Sequence, residues 1–291
     1  MRVVLFGTGA MSCLFAARLA RVARVTLVGT WTEAITAMQD RGILYEDQQE
    51  SRTVPIGATY LGAPVKPVDL AIVLVKTWQT RRVADCLSSY LTPEGLAISL
   101  QNGLGNLDLL GPRVFPGATA EGATLLGPGH VRAGGAGPTY AVAPEWVVNL
   151  LCSAGFESYR CSPVEAESLI WGKLAINCGI NALTALLRIP NGELLLNPNA
   201  ADLMVRAAGE CAAVAQAKGI RLPFPDPASR VREVAERTAE NRSSMLQDIL
   251  RGTPTECDAI NGAVVAEGRR VGVPTPVNEV LWKLIQASAK R

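Results

Sequence analysis

Val3-Val4-Leu5-Phe6-Gly7-Thr8-Gly9-Ala10-Met11-Ser12 opens the chain and decides its fold class. Four consecutive apolar residues read as a short strand buried on both faces, as in a parallel sheet. Gly7 and Gly9 make a tight turn. From Ala10 to Val22 the apolar residues Leu14, Phe15, Ala17, Leu19 and Val22 recur at helical spacing. A strand, a glycine turn and a helix in that order aim backbone N–H groups and the positive end of a helix dipole at one point, which suits a pyrophosphate. The turn supplies the first two glycines of a GxGxxG fingerprint. Ser12 stands at the third, small enough for the helix to pack on the strand. Gly7, Thr8, Gly9, Ala10, Met11 and Ser12 are therefore the candidate cofactor loop.

The pattern repeats downstream. Val25–Val28 reads as a second strand, 32–41 as a helix ended by Gly42, 70–75 as a buried strand and 77–90 as a helix. Residues 96–100 read as another strand. The stretch 114–142, rich in Gly, Thr and Val, reads as short antiparallel strands. A helix over 145–154 and a strand over 156–159 complete this part. Short apolar strands alternating with helices predict a Rossmann-type doubly wound α/β sheet. From Pro163 onward the spacing turns helical: segments 163–187, 198–218, 227–239, 244–250, 256–271 and 276–289 alternate with turn signals such as Ile189-Pro190-Asn191-Gly192. The expected domains are 1–163, binding a dinucleotide, and 164–291, all-helical and carrying the substrate chemistry.

Composition narrows the function classes. Hydrophobic residues are 48% and charged residues 19%, which is globular, and a net charge of +2 offers no broad attraction to nucleic acid or anionic membrane. Seven scattered cysteines without a CxxC pair argue against a disulfide framework or zinc site and for a reducing, cytoplasmic compartment. No His cluster offers a metal site, and the only histidine, His130, lies in a turn-rich segment. Glycines interrupt the N-terminal apolar stretch, against a secretory signal. Lys173, Asn177 and Asn181 interrupt the stretch 169–187, against a membrane span.

The ends of the strands carry the next candidates, because ligands of open α/β sheets bind outside the carboxyl ends. At the tip of the second strand an acidic residue selects NAD and a basic one NADP. Here Thr30 and Thr32 stand there, able to hydrogen-bond a phosphate but uncharged, and NADP is the milder preference. Val75-Lys76-Thr77 and Gln101-Asn102-Gly103 end two further strands and put Lys76 and Asn102 within reach of cofactor or substrate.

Lys173, Asn177 and Asn181 are spaced i, i+4, i+8 and lie along one helix face. Polar side chains in so apolar a helix are costly unless paired or functional. Hydride addition to a ketone leaves an alkoxide that needs a proton. A lysine partly desolvated in a cleft has a lowered pKa and can give it. Asparagine amides donate and accept, suiting a substrate with hydroxyl and carboxylate groups.

These stretches, with Ser243-Ser244-Met245-Leu246-Gln247-Asp248, Pro254-Thr255-Glu256-Cys257-Asp258-Ala259-Ile260-Asn261-Gly262 and Gly272-Val273-Pro274-Thr275-Pro276-Val277-Asn278, resemble the ketopantoate reductases over nearly the whole chain. The resemblance implies NADPH-dependent reduction of 2-dehydropantoate to pantoate, in pantothenate biosynthesis, with Lys173 as general acid. It implies that Asn102, Asn177, Asn181, Asn191 and Ser244 hold substrate. Thr30, Lys76, Asn102, Ala123 and Glu256 would meet the cofactor, with Glu256 also in the catalytic group. The site would lie in the cleft between the domains. The chain departs from the family's pattern at Ser12, at Thr30, where an arginine is common, and at Glu121, in Thr119-Ala120-Glu121-Gly122, which would put a carboxylate on the cleft wall. Alternatives on the same fold are a reductase of another 2-oxo acid, an opine-type dehydrogenase, or a catalytically idle nucleotide-binding sensor. Expected partners are a small 2-oxo acid and either none or a second copy of the chain, with no nucleic acid and no membrane.

Overall fold

The structure, a computed structural model, describes residues 1–288. The last three residues of the expected helical domain, and the end of the helix read over 276–289, lie outside them. The chain forms two compact units. One comprises 1–101 and 106–166, the other 102–105 and 167 onward. The expected contiguous domains therefore need one correction: the four residues Asn102–Gly105 group with the helical unit, although the chain on either side of them belongs to the first.

The first unit runs β1 (Arg2–Phe6), α1 (Ala10–Leu19), β2 (Arg24–Gly29), α2 (Thr32–Arg41), β3 (Ile43–Glu46), β4 (Ser51–Val54), β5 (Gly57–Tyr60), β6 (Val68–Val73), α3 (Thr80–Ala84), α4 (Leu87–Tyr90), β7 (Leu91–Ser99), α5 (Asn106–Leu110), β8 (Val114–Thr119), β9 (Ala123–Gly127), β10 (His130–Ala133), β11 (Thr139–Ala141), α6 (Glu145–Ser153) and β12 (Ser158–Arg160). Eight strands form one sheet in the order β12-β11-β8-β7-β6-β1-β2-β5. From β8 to β5 all neighbours are parallel. The chain builds outward from β1 through β2 to β5, then returns to lay β6 on the other side of β1. Such a reversal opens a crevice at the carboxyl ends of the two central strands, after Phe6 and Val73.

Alternation along the central strands fills both faces of the sheet. Val3 and Leu5 of β1 and Leu70 and Ile72 of β6 join one core cluster, while Val4, Phe6, Ala71 and Val73 join the other. Helix α1 is buried nearly all round, from Ser12 to Ala17 and at Leu19. The reason is a second sheet, ordered β4-β3-β10-β9, whose Ile43, Tyr45 and Val131 pack in the same cluster as Cys13, Leu14 and Phe15. A helix covered on both sides has no need of a polar face.

Two local expectations change. Residues 114–142 divide between two sheets: β8 pairs parallel with β7 and antiparallel with β11, while β9 and β10 pair in the second sheet. The helix expected over 77–90 is a tight turn at Thr77–Gln79 followed by the short α3 and α4. Tertiary ties override its helical spacing. The buried Thr80 hydroxyl bonds Asn106 Oδ1 at 2.9 Å and accepts from Gln101 Nε2 at 2.8 Å, and Tyr90 bonds the Ala63 carbonyl at 3.0 Å.

The second unit is helical: α7 (Pro163–Leu187, whose first turn belongs to the first unit), α8 (Glu193–Leu196), α9 (Pro198–Ala217), α10 (Pro227–Arg237), α11 (Ser244–Arg251), α12 (Ala263–Val271) and α13 (Pro276–Ser288), with a wide turn at Asp258–Gly262 before α12. Among the described residues α7 alone is long and apolar enough to cross a membrane, and two thirds of that stretch is buried within this fold. Its Trp171, Leu174, Ala175, Cys178 and Leu183 centre the core, against Met204, Cys211, Val231 and Ile260.

Candidate active site

The glycine turn lies at the carboxyl end of β1, where the first unit's sheet reverses. Gly7 has φ +127°, and a Cβ there would collide with Ser12 Oγ and lie 3.2 Å from the Leu74 carbonyl oxygen. Only glycine meets both demands. At Gly9, by contrast, a Cβ would meet nothing within 4 Å. Gly9 precedes α1, whose first N–H groups receive no side-chain cap. A bare backbone turn and open helix N-terminus fit a pyrophosphate. Thr8 is buried, Ala10 and Met11 are half-buried, and Ser12 Oγ is buried with no hydrogen-bond partner among the described residues.

Thr30 directly follows β2 and is exposed, its Oγ1 accepting from Gln79 Nε2 at 2.9 Å. The half-buried Lys76 sits beyond the carboxyl end of β6. These positions and the turn therefore follow three neighbouring strands. Ala123 is elsewhere in the unit, the first residue of β9 in the second sheet, packed against the cluster that contains α1. Glu121 is paired with a cation of its own unit. Its carboxylate lies within the first unit, 3.1 Å from Arg18 Nη1 of α1, with the side chain 3% exposed. Burial raises its pKa and Arg18 only partly offsets that.

The second unit assembles Lys173, Glu256 and Asn102. Lys173 projects from α7, half-buried, and burial brings its pKa down to about 8, with the Glu256 carboxylate pulling the other way. Glu256 is 4% exposed and accepts from Asn102 Nδ2 at 3.4 Å. Asn102 is held there by its own loop. Leu104 N–H donates to the Ala259 carbonyl at 3.0 Å. Gly103 has φ +74°, and a Cβ on it would come within 2.6 Å of the same oxygen. The Gln101-Asn102-Gly103 signal thus has a physical cause: only glycine turns left-handed and comes this close to the neighbouring turn.

Asn177 and Asn181 follow Lys173 along α7. Asn177 is half-buried and Asn181 is 5% exposed, so this is no solvated stripe. Thr184, one turn after Asn181, bonds Ser243 Oγ at 2.7 Å, and Ser243 caps α11 by accepting from Leu246 N–H at 3.1 Å. The exposed Ser244 comes next. Asn191 lies on a loop zipped to the end of α10: its N–H donates to the Asn241 carbonyl at 3.0 Å and its Nδ2 to Thr238 Oγ1 at 2.9 Å. Thr238 gives its own proton to Val234, so the Asn191 amide orientation is fixed with Oδ1 buried and unpaired among the described residues.

Sequence reasoning did not find the buried amides Asn261 and Asn278 or the Glu210 carboxylate that joins them. The signal was present. An Asn within Ala-Ile-Asn-Gly-Ala-Val-Val is as conspicuous as Asn177 and Asn181 in α7.

The chain matches the family model "Ketopantoate reductase PanE/ApbA" over residues 3–145 and its C-terminal counterpart over 165–289. It is 37% identical to a 2-dehydropantoate 2-reductase of Archaeoglobus fulgidus, over 78% of this chain and 79% of that one. It is 34% identical to a 2-dehydropantoate 2-reductase of Halobacterium salinarum over 100% of this chain and 99% of the other. A solved PanE/ApbA family ketopantoate reductase from Ralstonia eutropha superposes with TM-score 0.91 at 31% identity, covering 99% of this chain and 98% of that one. With a doubly wound sheet, a glycine turn at its crevice and a desolvated lysine beside a buried carboxylate, the chain belongs to the ketopantoate reductase family.

Proposed function

We infer that this chain is an oxidoreductase that reduces 2-dehydropantoate to pantoate with NADPH. When bound, the cofactor supplies the hydride for the C2 ketone. The observation that carries the reading is Lys173 on α7 beside the buried Glu256 carboxylate that Asn102 meets, its pKa brought down to about 8 by burial and kept from falling further by Glu256. Such a group is still largely protonated at neutral pH yet gives its proton readily. Lys173 donates to the oxygen that gains charge as the ketone is reduced, and its ammonium stabilises that charge.

The other residues take supporting parts. Gly9 and the α1 N-terminus hold the pyrophosphate, Lys76 and Thr30 the adenosine end, and Ala123 borders the cofactor. Glu256 keeps Lys173 charged between turnovers, and Asn102 holds the Glu256 carboxylate by its Nδ2–H. Asn177 and Asn181 meet the substrate's hydroxyl and carboxylate, with Asn191 and Ser244 at its other end.

The test is NADPH and NADH oxidation with 2-dehydropantoate and a panel of other 2-oxo acids. The reading predicts the highest kcat/KM with 2-dehydropantoate and NADPH. A higher value with another 2-oxo acid would move the substrate and keep the chemistry.

A further inference from the structure

The turn after Glu256 is wound more loosely than an α-helix. Gly262 N–H reaches back five residues to the Cys257 carbonyl at 3.0 Å, although the turn starts tightly, with Ala259 N–H reaching back only three residues to the Glu256 carbonyl at 3.1 Å. Turns of this width are rare and recur at functional sites.

A side chain that the chemistry above does not use holds this turn. Asn261, wholly buried, donates from Nδ2 to the Cys178 carbonyl of α7 at 3.3 Å and to Asn278 Oδ1 at 2.9 Å. Its Oδ1 takes the Cys257 thiol at 3.8 Å. Asn278, also wholly buried, donates to the Ala207 carbonyl at 3.0 Å and to Glu210 Oε2 at 2.8 Å, both on α9. Glu210 in turn accepts the N–H groups of Val277 and Asn278, each at 2.9 Å, at the start of α13. One buried amide therefore ties the turn to α7, and through Asn278 to α9 and α13. Removing one partner from such a network leaves others unsatisfied in a dry site.

The turn's near end is Glu256, and its Ala259 carbonyl receives the loop that carries Asn102. Rotation of the turn would move both at once. We propose that Asn261 is a positioning residue for the reaction: anchored on Cys178 and Asn278, it fixes the turn that sets Glu256 and Asn102 beside Lys173. This rests on the reading of Lys173 as proton donor.

The test uses the full-length Asn261→Leu variant, with Asn261→Ser if the first does not fold. Two readouts are taken: the pH profile of kcat, and the titration of Lys173 followed by pH-dependent acylation and mass spectrometry. With Glu256 displaced, Lys173 loses the neighbour that raises its pKa. It is expected to titrate lower by about half a unit or more. The rate should fall roughly tenfold. In a Glu256→Gln background, Asn261→Leu should cost less than about twofold further, because both act through one carboxylate. Trp282→Phe is the control. It removes the indole N–H that meets Asp258 Oδ1 at 2.6 Å on the same turn, and should lower Tm without moving Lys173.

A lowered Tm with unchanged Lys173 titration and losses that multiply in the double variant would reduce Asn261 to packing and overturn the proposal. An equal Lys173 shift in Trp282→Phe would do the same. Acylation needs no turnover, so a failure of the reaction assignment and a failure of the positioning are read separately.

Discussion

Gly103 stands so close to Ala259 that a Cβ would come within 2.6 Å of the Ala259 carbonyl oxygen. This approach fixes the loop that presents Asn102 to Glu256 and explains why four residues leave the sheet unit for the helical one. Gly103→Ala must either lift the loop or strain it, and its φ of +74° adds to the cost. The expected loss is about 2 kcal/mol, measured by urea unfolding, together with a fall in kcat as Asn102 leaves Glu256. Unaltered kcat would separate the loop from the chemistry.

With Lys173 as the proposed proton donor, its titration sets the pH dependence. Lys173 must be charged to give a proton, and burial holds it at about 8. The rate of ketone reduction should therefore be full below that value and decline as pH rises through it. Glu256 raises the lysine's pKa, so Glu256→Gln should move the decline to lower pH, by about one unit. A decline that stayed in place in the variant would assign it to another group.

Arg18 and Glu121 make a stability prediction. Arg18→Met leaves the Glu121 carboxylate buried without its cation, an expected cost of about 3 kcal/mol. The sign with pH follows from protonation. Burial already raises the Glu121 pKa, and losing Arg18 raises it further. A raised carboxylate favours the fold when protonated and loses that contribution as pH rises. The gap between wild type and variant should be small in acid and widen toward neutral pH, as read from Tm over a pH series.

Cofactor preference is open to a direct gain. Thr30 is exposed at the tip of β2 and already accepts from Gln79, and a guanidinium there would meet a 2′-phosphate bidentately. Thr30→Arg should increase the ratio of kcat/KM for NADPH over NADH by about tenfold, or roughly 1.4 kcal/mol. No change would place the adenosine end away from Thr30.

The sheet was legible where both faces of a strand are buried. Val3–Phe6 and Leu70–Val73 read as apolar runs, and α2 was bounded by Gly42. The segment 43–60 gave no such signal, because β4 and β5 are only four residues long each and largely exposed. A closer reading had one handle there: Asp47 Oδ1 accepts the N–H groups of Gln49 and Glu50 at 2.8 and 2.9 Å, closing the turn between β3 and β4. In the proposed site, Lys173, Asn177 and Asn181 were legible because helical spacing aligns them. Glu256 was not. Its importance comes from burial beside Lys173, a contact 83 residues distant in sequence that no local pattern encodes.

The most direct measurement is kcat for NADPH oxidation with 2-dehydropantoate in wild type and in Lys173→Ala, with cofactor affinity measured on both proteins. The account predicts turnover in the wild type, a fall of about 10²- to 10⁴-fold in the variant, and unchanged cofactor affinity. A variant that turns over as fast as the wild type would contradict it.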